Sequence, residues 1–176
     1  MKTLIIYFSD VHLTGEKPEN EGAVITAFCE DVKKQLMSLQ YTDVYVLIGG
    51  DLVQAADNAT CYQTFYDKIL SKLISYGISK EKIICVPGNH DCQRQWVIDN
   101  KEIYAPIVNQ LYSEDRFNNM IKTQQVVLFT EKFANYRHFI EKYLPNPRYN
   151  LIGFSMEIND DWSLYCLNSA LTSFAG

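Results

Sequence analysis

The feature that most constrains the fold is an apolar run that ends in a polar cluster, and the first half of the chain contains it three times. Residues 4–8, 43–48 and 82–86 are short runs dominated by Ile, Val and Leu. This pattern is typical of strands that are buried on both faces of a sheet. Each run stops at turn-forming and ionisable residues, so the polar chemistry begins where each predicted strand ends.

Amphipathic segments separate the three runs. Residues 23–39 and 58–76 place apolar side chains at helical spacing, and Gly77 is the predicted C-terminal cap of the second helix. Strand and helix in alternation predict an α/β fold with right-handed crossovers and a largely parallel sheet. Ligands of such sheets bind beyond the carboxyl ends of the strands. We therefore expect all three polar clusters on one rim.

The second half of the chain does not continue the alternation of strand and helix. Residues 95–144 predict helical segments rich in Tyr, Phe and Asn, with breaks near Ser113 and over 124–130, and we interpret this part as an insertion over the rim. Residues 151–158 and 162–167 predict two strands joined by a tight hairpin. The sequence has no internal repeat or linker, so residues 1–176 are expected to form one domain.

Charge and cysteine content narrow the function classes. The net charge is −5 and the 16 Lys and Arg are scattered, so nucleic acid is not favoured as a partner, although a metal site could attract phosphodiesters locally. The five cysteines lack C-x-x-C spacing, which argues against a disulfide framework and a structural zinc site. Asp10 interrupts the first apolar run too early for a secretory signal, and no later apolar run approaches the length of a membrane span. We expect a cytoplasmic protein that does not associate with membranes.

The three polar clusters combine the side chains that bind divalent cations. They are Asp10-Val11-His12, Gly50-Asp51 and Gly88-Asn89-His90-Asp91. Carboxylate, imidazole and amide groups are ligands for hard to borderline cations. Each cluster alone is typical of a solvated loop, a turn or a helix cap. Their recurrence after three successive strands favours a shared metal site.

In this order the clusters resemble the D-x-H, G-D and G-N-H-D motifs of the calcineurin-like metallophosphoesterases. The resemblance implies a mixed β-sheet sandwich flanked by helices, with two divalent cations such as Mn, Fe or Zn. It makes Asp10 and His12 ligands of the first metal, Asp51 the bridging ligand and Asn89 a ligand of the second. It places His90 against the scissile phosphate, with Asp91 as its companion in the catalytic loop.

The same resemblance implies a reaction. Two cations would hold a bridging hydroxide and neutralise the phosphoryl oxygens of a phosphomonoester or phosphodiester during in-line attack. His90 would stabilise the transition state or protonate the leaving oxygen, while Asp91 orients the loop. The nuclease branch of the family is less favoured, since the chain is acidic and has no Arg-rich loop.

The sequence departs from the family pattern in two places. The family completes its site with an isolated His and a G-H-x-H cluster, whereas this chain has only His12, His90 and His138. His138 lies in a predicted helix and is expected to have a structural or surface role. Gln54 stands where some family phosphatases have an Asp that pairs with the active-site His, so we consider Asp57 as a substitute.

The missing histidines lead to two hypotheses. In the first, the domain is truncated before its last ligand motifs, and a fused C-terminal domain or a partner supplies the histidines. The 176 residues alone would then be weakly active or inactive. In the second, the ligand set is truly incomplete, and the chain is a non-catalytic scaffold or regulatory module that retains the phosphoesterase fold.

Overall fold

The computed structural model describes residues 2–14, 18–38, 41, 43–109, 111, 113–123 and 126–174, and the side chains of residues 18–20 and 121 are outside this description. The predicted parallel sheet is confirmed. Strands β1 (Thr3–Phe8), β2 (Asp43–Ile48) and β3 (Ile83–Cys85) pair in parallel in the order β1-β2-β3. Phe8 lies opposite Ile48, and Ile48 opposite Cys85, so the three carboxyl ends are level. The three polar clusters therefore leave the sheet at one edge.

The two predicted crossover helices are present. Helix α1 spans Pro18–Ser38, and position 39, the predicted end, lies outside the described residues. The second helical segment comprises α2 (Ala59–Phe65), a wider π-helical turn (Tyr66–Leu70) and α3 (Ser71–Ser75). The Asn58 side chain accepts a hydrogen bond of 3.0 Å from the backbone N–H of Thr60 and caps its N-terminus. Gly77 follows α3 with a φ of +94°, a left-handed conformation that glycine adopts without strain.

A short 3₁₀ turn (Lys80–Lys82) precedes β3. In the described part of the chain, β3 is followed by five helices. They are α4 (Arg94–Asp99), α5 (Lys101–Val108), α6 (Glu114–Lys122), α7 (Val126–Glu131) and α8 (Ala134–Tyr143). The predicted break near Ser113 is confirmed. The predicted break over 124–130 is wrong for 126–130, which belong to α7, and positions 124 and 125 lie outside the described residues.

The helices of the second half divide between two apolar clusters. Tyr136, Phe139 and Ile140 of α8 pack in the main core with the sheet and the crossover helices. Tyr104 of α5 and Phe129 of α7 belong to a separate cluster that α4 and α6 also join. Helix α8 is therefore part of the main core, whereas α4 to α7 form the second cluster together with Ile152 and Leu171.

A hairpin forms the second β layer. Strands β4 (Gly153–Asn159) and β5 (Trp162–Leu167) pair antiparallel, as predicted. Cys166 of the hairpin packs against Tyr45 and Ile84 of the parallel sheet. The Tyr45 hydroxyl also donates a hydrogen bond of 3.1 Å to the carbonyl of Ile158. The predicted α/β fold with mixed β layers and flanking helices is thus observed.

One strand differs from its prediction. Residues 4–8 were expected to be buried on both faces, but Ile5 is 44% exposed and Tyr7 is 65% exposed. Strand β1 is an edge of the three-stranded sheet. The apolar cluster in which the hairpin packs on this sheet contains side chains of β2 and β3. One face of β1 therefore remains open to solvent.

The structure bears on membrane-spanning helices and on the state of the cysteines. Among the described residues, no helix is both long enough and apolar enough to cross a membrane. All five cysteines are described, and each is a buried free thiol.

Candidate metal centre

The loops after β1 and β2 are locked together by backbone hydrogen bonds. The N–H of Asp10 donates to the carbonyl of Gly50, and the N–H of His12 donates to the carbonyl of Asp51, each over 3.0 Å. Asp10, His12 and Asp51 have φ values of 58°, 47° and 53°. Non-glycine residues rarely adopt this left-handed region, and such strain concentrates at functional sites. All three strained residues are predicted metal ligands.

Two glycines allow the loops after β2 and β3 to touch. A Cβ on Gly50, whose φ is +105°, would lie 2.5 Å from the backbone nitrogen of Gly88. A Cβ on Gly88 would collide with the carboxylate of Asp51. The Gly-Asp and Gly-Asn-His-Asp motifs therefore need glycine because two backbones and one carboxylate share this space.

The side chains on these loops converge. The Nε2 atom of His12 lies 3.8 Å from Asp10 Oδ1 and 3.9 Å from Asp51 Oδ2, and the His12 and His90 rings are 4.4 Å apart at 85°. His12, Asp51 and His90 each offer a ligand atom within 4.8 Å of the other two. The Asp51 side chain is only 13% exposed.

This donor set fits a divalent cation. The distances from His12 Nε2 to the Asp10 and Asp51 carboxylates, 3.8 and 3.9 Å, are too long for hydrogen bonds. Two ligands on one tetrahedral or octahedral transition-metal ion lie about 3 to 3.5 Å apart, which a small side-chain adjustment would reach. The Nδ1 atom of His12 is buried and has no hydrogen-bond partner. His12 is therefore held beside two carboxylates without any hydrogen bond that satisfies its ring.

The comparison with known families agrees with this geometry. The sequence model of the calcineurin-like phosphoesterases matches residues 3–164. The chain belongs to the calcineurin-like phosphoesterase family. No curated protein and no solved structure matches it. The match includes strands β1 to β4 and the first residues of β5.

Asp91, the last residue of the third motif in this phosphoesterase, lies behind the site and is completely buried. Its Oδ2 accepts hydrogen bonds from the N–H groups of Asp51 at 2.8 Å, Gly88 at 2.9 Å and Leu52 at 3.4 Å. Its Oδ1 accepts one from the Tyr62 hydroxyl at 3.0 Å. Burial raises the pKa of Asp91 to about 7, against the lowering effect of donors such as the Gly88 N–H and the Tyr62 hydroxyl. The Asp91 carboxylate connects the second and third motifs and is not exposed to solvent.

His90 is oriented by a backbone group. Its Nδ1 lies 2.9 Å from the carbonyl oxygen of Gln54, and a carbonyl can only accept, so Nδ1 donates. The backbone N–H of His90 donates to Asp51 Oδ1 at 2.8 Å. Asp57, considered above as the partner of His90, instead accepts from the N–H groups of Arg94 and Gln95 at the start of α4.

Asn89 and His138 differ in their exposure. Asn89 is half-buried between Gly88 and His90, both of which contact Asp51. His138 is exposed on α8. The sequence analysis missed the contributions of Gln54 and Tyr62. Gln54 acts through its main-chain carbonyl, which no side-chain pattern reveals, and Tyr62 looked like one more apolar residue on a helix.

Proposed function

We propose that this phosphoesterase hydrolyses a phosphomonoester or phosphodiester at a two-metal centre built on the rim of the parallel sheet. The observation that carries the proposal is the convergence of His12, Asp51 and His90 within 4.8 Å, at loops whose ligand residues adopt strained backbone conformations. Membership of the family supports a hydrolase that acts on phosphate esters.

The proposed ligand roles are those that the family motifs imply. Asp10 and His12 would bind the first cation. Asp51 would bind both, since its Oδ2 faces His12 while its Oδ1 lies on the side of the His90 backbone. Asn89 would bind the second cation through its amide oxygen. The cations supply Lewis acidity, lowering the pKa of a coordinated water and neutralising phosphoryl oxygens.

His90 is proposed as the group that acts on the leaving oxygen. Because Nδ1–H is committed to the Gln54 carbonyl, only Nε2 is available to a substrate. Nε2 carries a proton only when the ring is cationic, so His90 would donate as an imidazolium and then return to the neutral form. This arrangement fixes the ring's orientation before substrate arrives.

Asp91 is proposed as a positioning residue. Its carboxylate is fully buried and accepts from both the Asp51 loop and the Gly88 loop. It would keep the shared ligand Asp51 and the His90 loop at a fixed separation without touching substrate itself.

We further propose that ligands outside residues 1–176 complete the centre. His138, the third histidine of the chain, is exposed on α8, and the predicted second-metal ligands within the chain are only Asp51 and Asn89. A fused C-terminal domain or a partner protein would supply the later histidines. Five buried free thiols favour a reducing, cytoplasmic setting.

The test is turnover of p-nitrophenyl phosphate and bis(p-nitrophenyl) phosphate by the full natural protein with Mn²⁺. Hydrolysis should disappear on chelation and on Asp10→Asn substitution, and should survive Asp160→Asn in the exposed hairpin turn. A protein that binds no metal and hydrolyses neither ester would contradict the proposal and favour the scaffold hypothesis.

A further inference from the structure

A groove of about 470 Å³ lies beside the candidate metal centre, between the loop after β1 and helix α1. We propose that this groove binds the neutral, apolar portion of the phosphate-ester substrate. The inference rests on the proposed function and names the class of alcohol that the ester would carry. The groove and the metal centre share a residue, because Asp10 lines the groove and its Oδ1 is 3.8 Å from His12 Nε2. A phosphoryl group at the centre would have its ester substituent at the groove's entrance.

The walls of the groove are mainly hydrocarbon and aromatic. Phe8 and Phe28 meet edge to face with their ring centroids 4.9 Å apart, and Ile25 contributes a buried aliphatic side chain. Val24 also lines the groove and is 72% exposed. Ligand pockets typically combine an apolar lining with a few polar groups that fix orientation. Val24 would bury its side chain only when a ligand is present.

The described lining offers no cation to an anionic substituent. Among the residues that the structure describes here, the ionisable groups are two carboxylates, Asp10 and Glu21. Glu21 Oε1 is already occupied, accepting hydrogen bonds from the Thr14 N–H at 3.2 Å and the Thr14 hydroxyl at 2.6 Å. Asp10 is a proposed metal ligand, so a bound cation would balance its charge, and Glu21 is the described carboxylate left to repel a second anionic group. The apolar walls and Glu21 together favour an ester of an uncharged, apolar alcohol.

Alkylphosphonates test this assignment without requiring turnover. Methylphosphonate and hexylphosphonate would be titrated calorimetrically into the full natural protein loaded with Mn²⁺. Affinity should rise by about fourfold for each methylene that enters the groove. Val24→Asn should weaken hexylphosphonate binding by roughly three- to tenfold and leave methylphosphonate binding unchanged. Val127→Asn is the matched control, since Val127 is an exposed valine on α7, outside the groove lining.

The possible results separate this inference from the proposed function. Equal affinity for the two phosphonates, or equal effects of Val24→Asn and Val127→Asn, would overturn the groove assignment while leaving the metal centre intact. Hexylphosphonate binding that does not depend on Mn²⁺ would also overturn it, since the groove would then be independent of the centre. If Mn²⁺ binds but neither phosphonate does, the proposed function fails together with the groove.

Discussion

The buried carboxylate of Asp91 accepts a 2.8 Å hydrogen bond from the backbone N–H of Asp51, 40 residues earlier in the chain. The same oxygen accepts from Gly88, so one atom ties the second motif to the third. Asp51 in turn accepts from the backbone of His90. The candidate centre is therefore held by reciprocal contacts between loops, and its geometry depends on residues that would not touch a cation.

Replacement of Asp91 should separate its positioning role from metal binding itself. Asp91→Ala leaves several buried N–H groups without an acceptor and should lower the free energy of unfolding by about 2 to 4 kcal/mol and weaken Mn²⁺ binding. Asp91→Asn should retain most of the stability and most of the Mn²⁺ affinity, because an amide oxygen can accept from the N–H groups while its NH₂ faces Tyr62. Denaturant unfolding and Mn²⁺ titration measure the two effects.

Asp57→Ala is the control for Asp91. It removes a carboxylate that caps α4 and should cost about 1 kcal/mol of stability without changing Mn²⁺ affinity. Undiminished Mn²⁺ affinity in Asp91→Ala would show that Asp91 does not position the site.

Asp51→Asn should reduce metal content more than any other ligand substitution. If Asp51 serves both cations, losing its charge weakens both sites, whereas His12→Ala should affect the first site alone. Elemental analysis of Mn per chain in the full natural protein, with Asp160→Asn as a control, measures the difference. Equal metal loss in Asp51→Asn and His12→Ala would count against a bridging role.

Gly88→Ala should disrupt the centre although it removes no functional group. The new methyl group would collide with the Asp51 carboxylate, and we expect a stability loss of about 1 to 3 kcal/mol together with weaker Mn²⁺ binding. Gly22→Ala is the matched control. Gly22 lies within α1, and no atom of the described residues lies within 4 Å of its missing Cβ, so alanine there should stabilise the protein by about 0.5 to 1 kcal/mol. Unchanged Mn²⁺ binding in Gly88→Ala would contradict the steric argument.

The buried amine of Lys132 should make stability increase with pH. Its Nζ donates to the carbonyls of Ala170 and Ser173 and to the Tyr104 hydroxyl. Burial lowers the pKa of Lys132 to about 8, while the pKa of its neighbour Cys92 is raised to about 11 by burial. Between pH 7 and 9 the unfolded chain keeps the Lys132 proton and the native protein releases it. The unfolded state then binds more protons, so the free energy of unfolding rises with pH.

The measurable quantity is the difference between the native sequence and Lys132→Met, because other titrating groups then cancel. The native sequence should gain about 1 kcal/mol relative to Lys132→Met between pH 7 and 9 in denaturant unfolding. Lys142→Met, at an exposed lysine of α8, should show no such difference. A native sequence that gains nothing over Lys132→Met would mean that the amine keeps its proton throughout this range.

Residues 1–176 on their own should bind one metal weakly and show little hydrolysis. Asp10, His12 and Asp51 would give the first cation three ligands, but Asp51 and Asn89 would give the second only two, fewer than catalytic transition-metal sites usually have. Bound metal and phosphodiester turnover should be compared for these residues and for the full natural protein. Two tightly bound metals and full activity in residues 1–176 would refute the expectation that ligands are missing.

The sequence by itself determined the parallel sheet, its crossover helices and the meeting of the three motifs at one edge. These follow from local periodicity and from the geometric rule that parallel strands end together, so they need no knowledge of distant contacts. Residues 4–8 show the limit of that reasoning. Their apolar run was correctly assigned to a strand, but the exposure of Ile5 and Tyr7 depends on which sheet face the distant hairpin covers.

Only the tertiary structure decided how the centre is held. The partner of His90 is the main-chain carbonyl of Gln54, and every residue carries such a carbonyl, so no sequence pattern could single it out. The burial of Asp91 likewise depends on Asp51 and Tyr62, which only folding brings beside it. Side-chain types with a recurring spacing are visible in a sequence, whereas backbone partners and burial are properties of the packed chain.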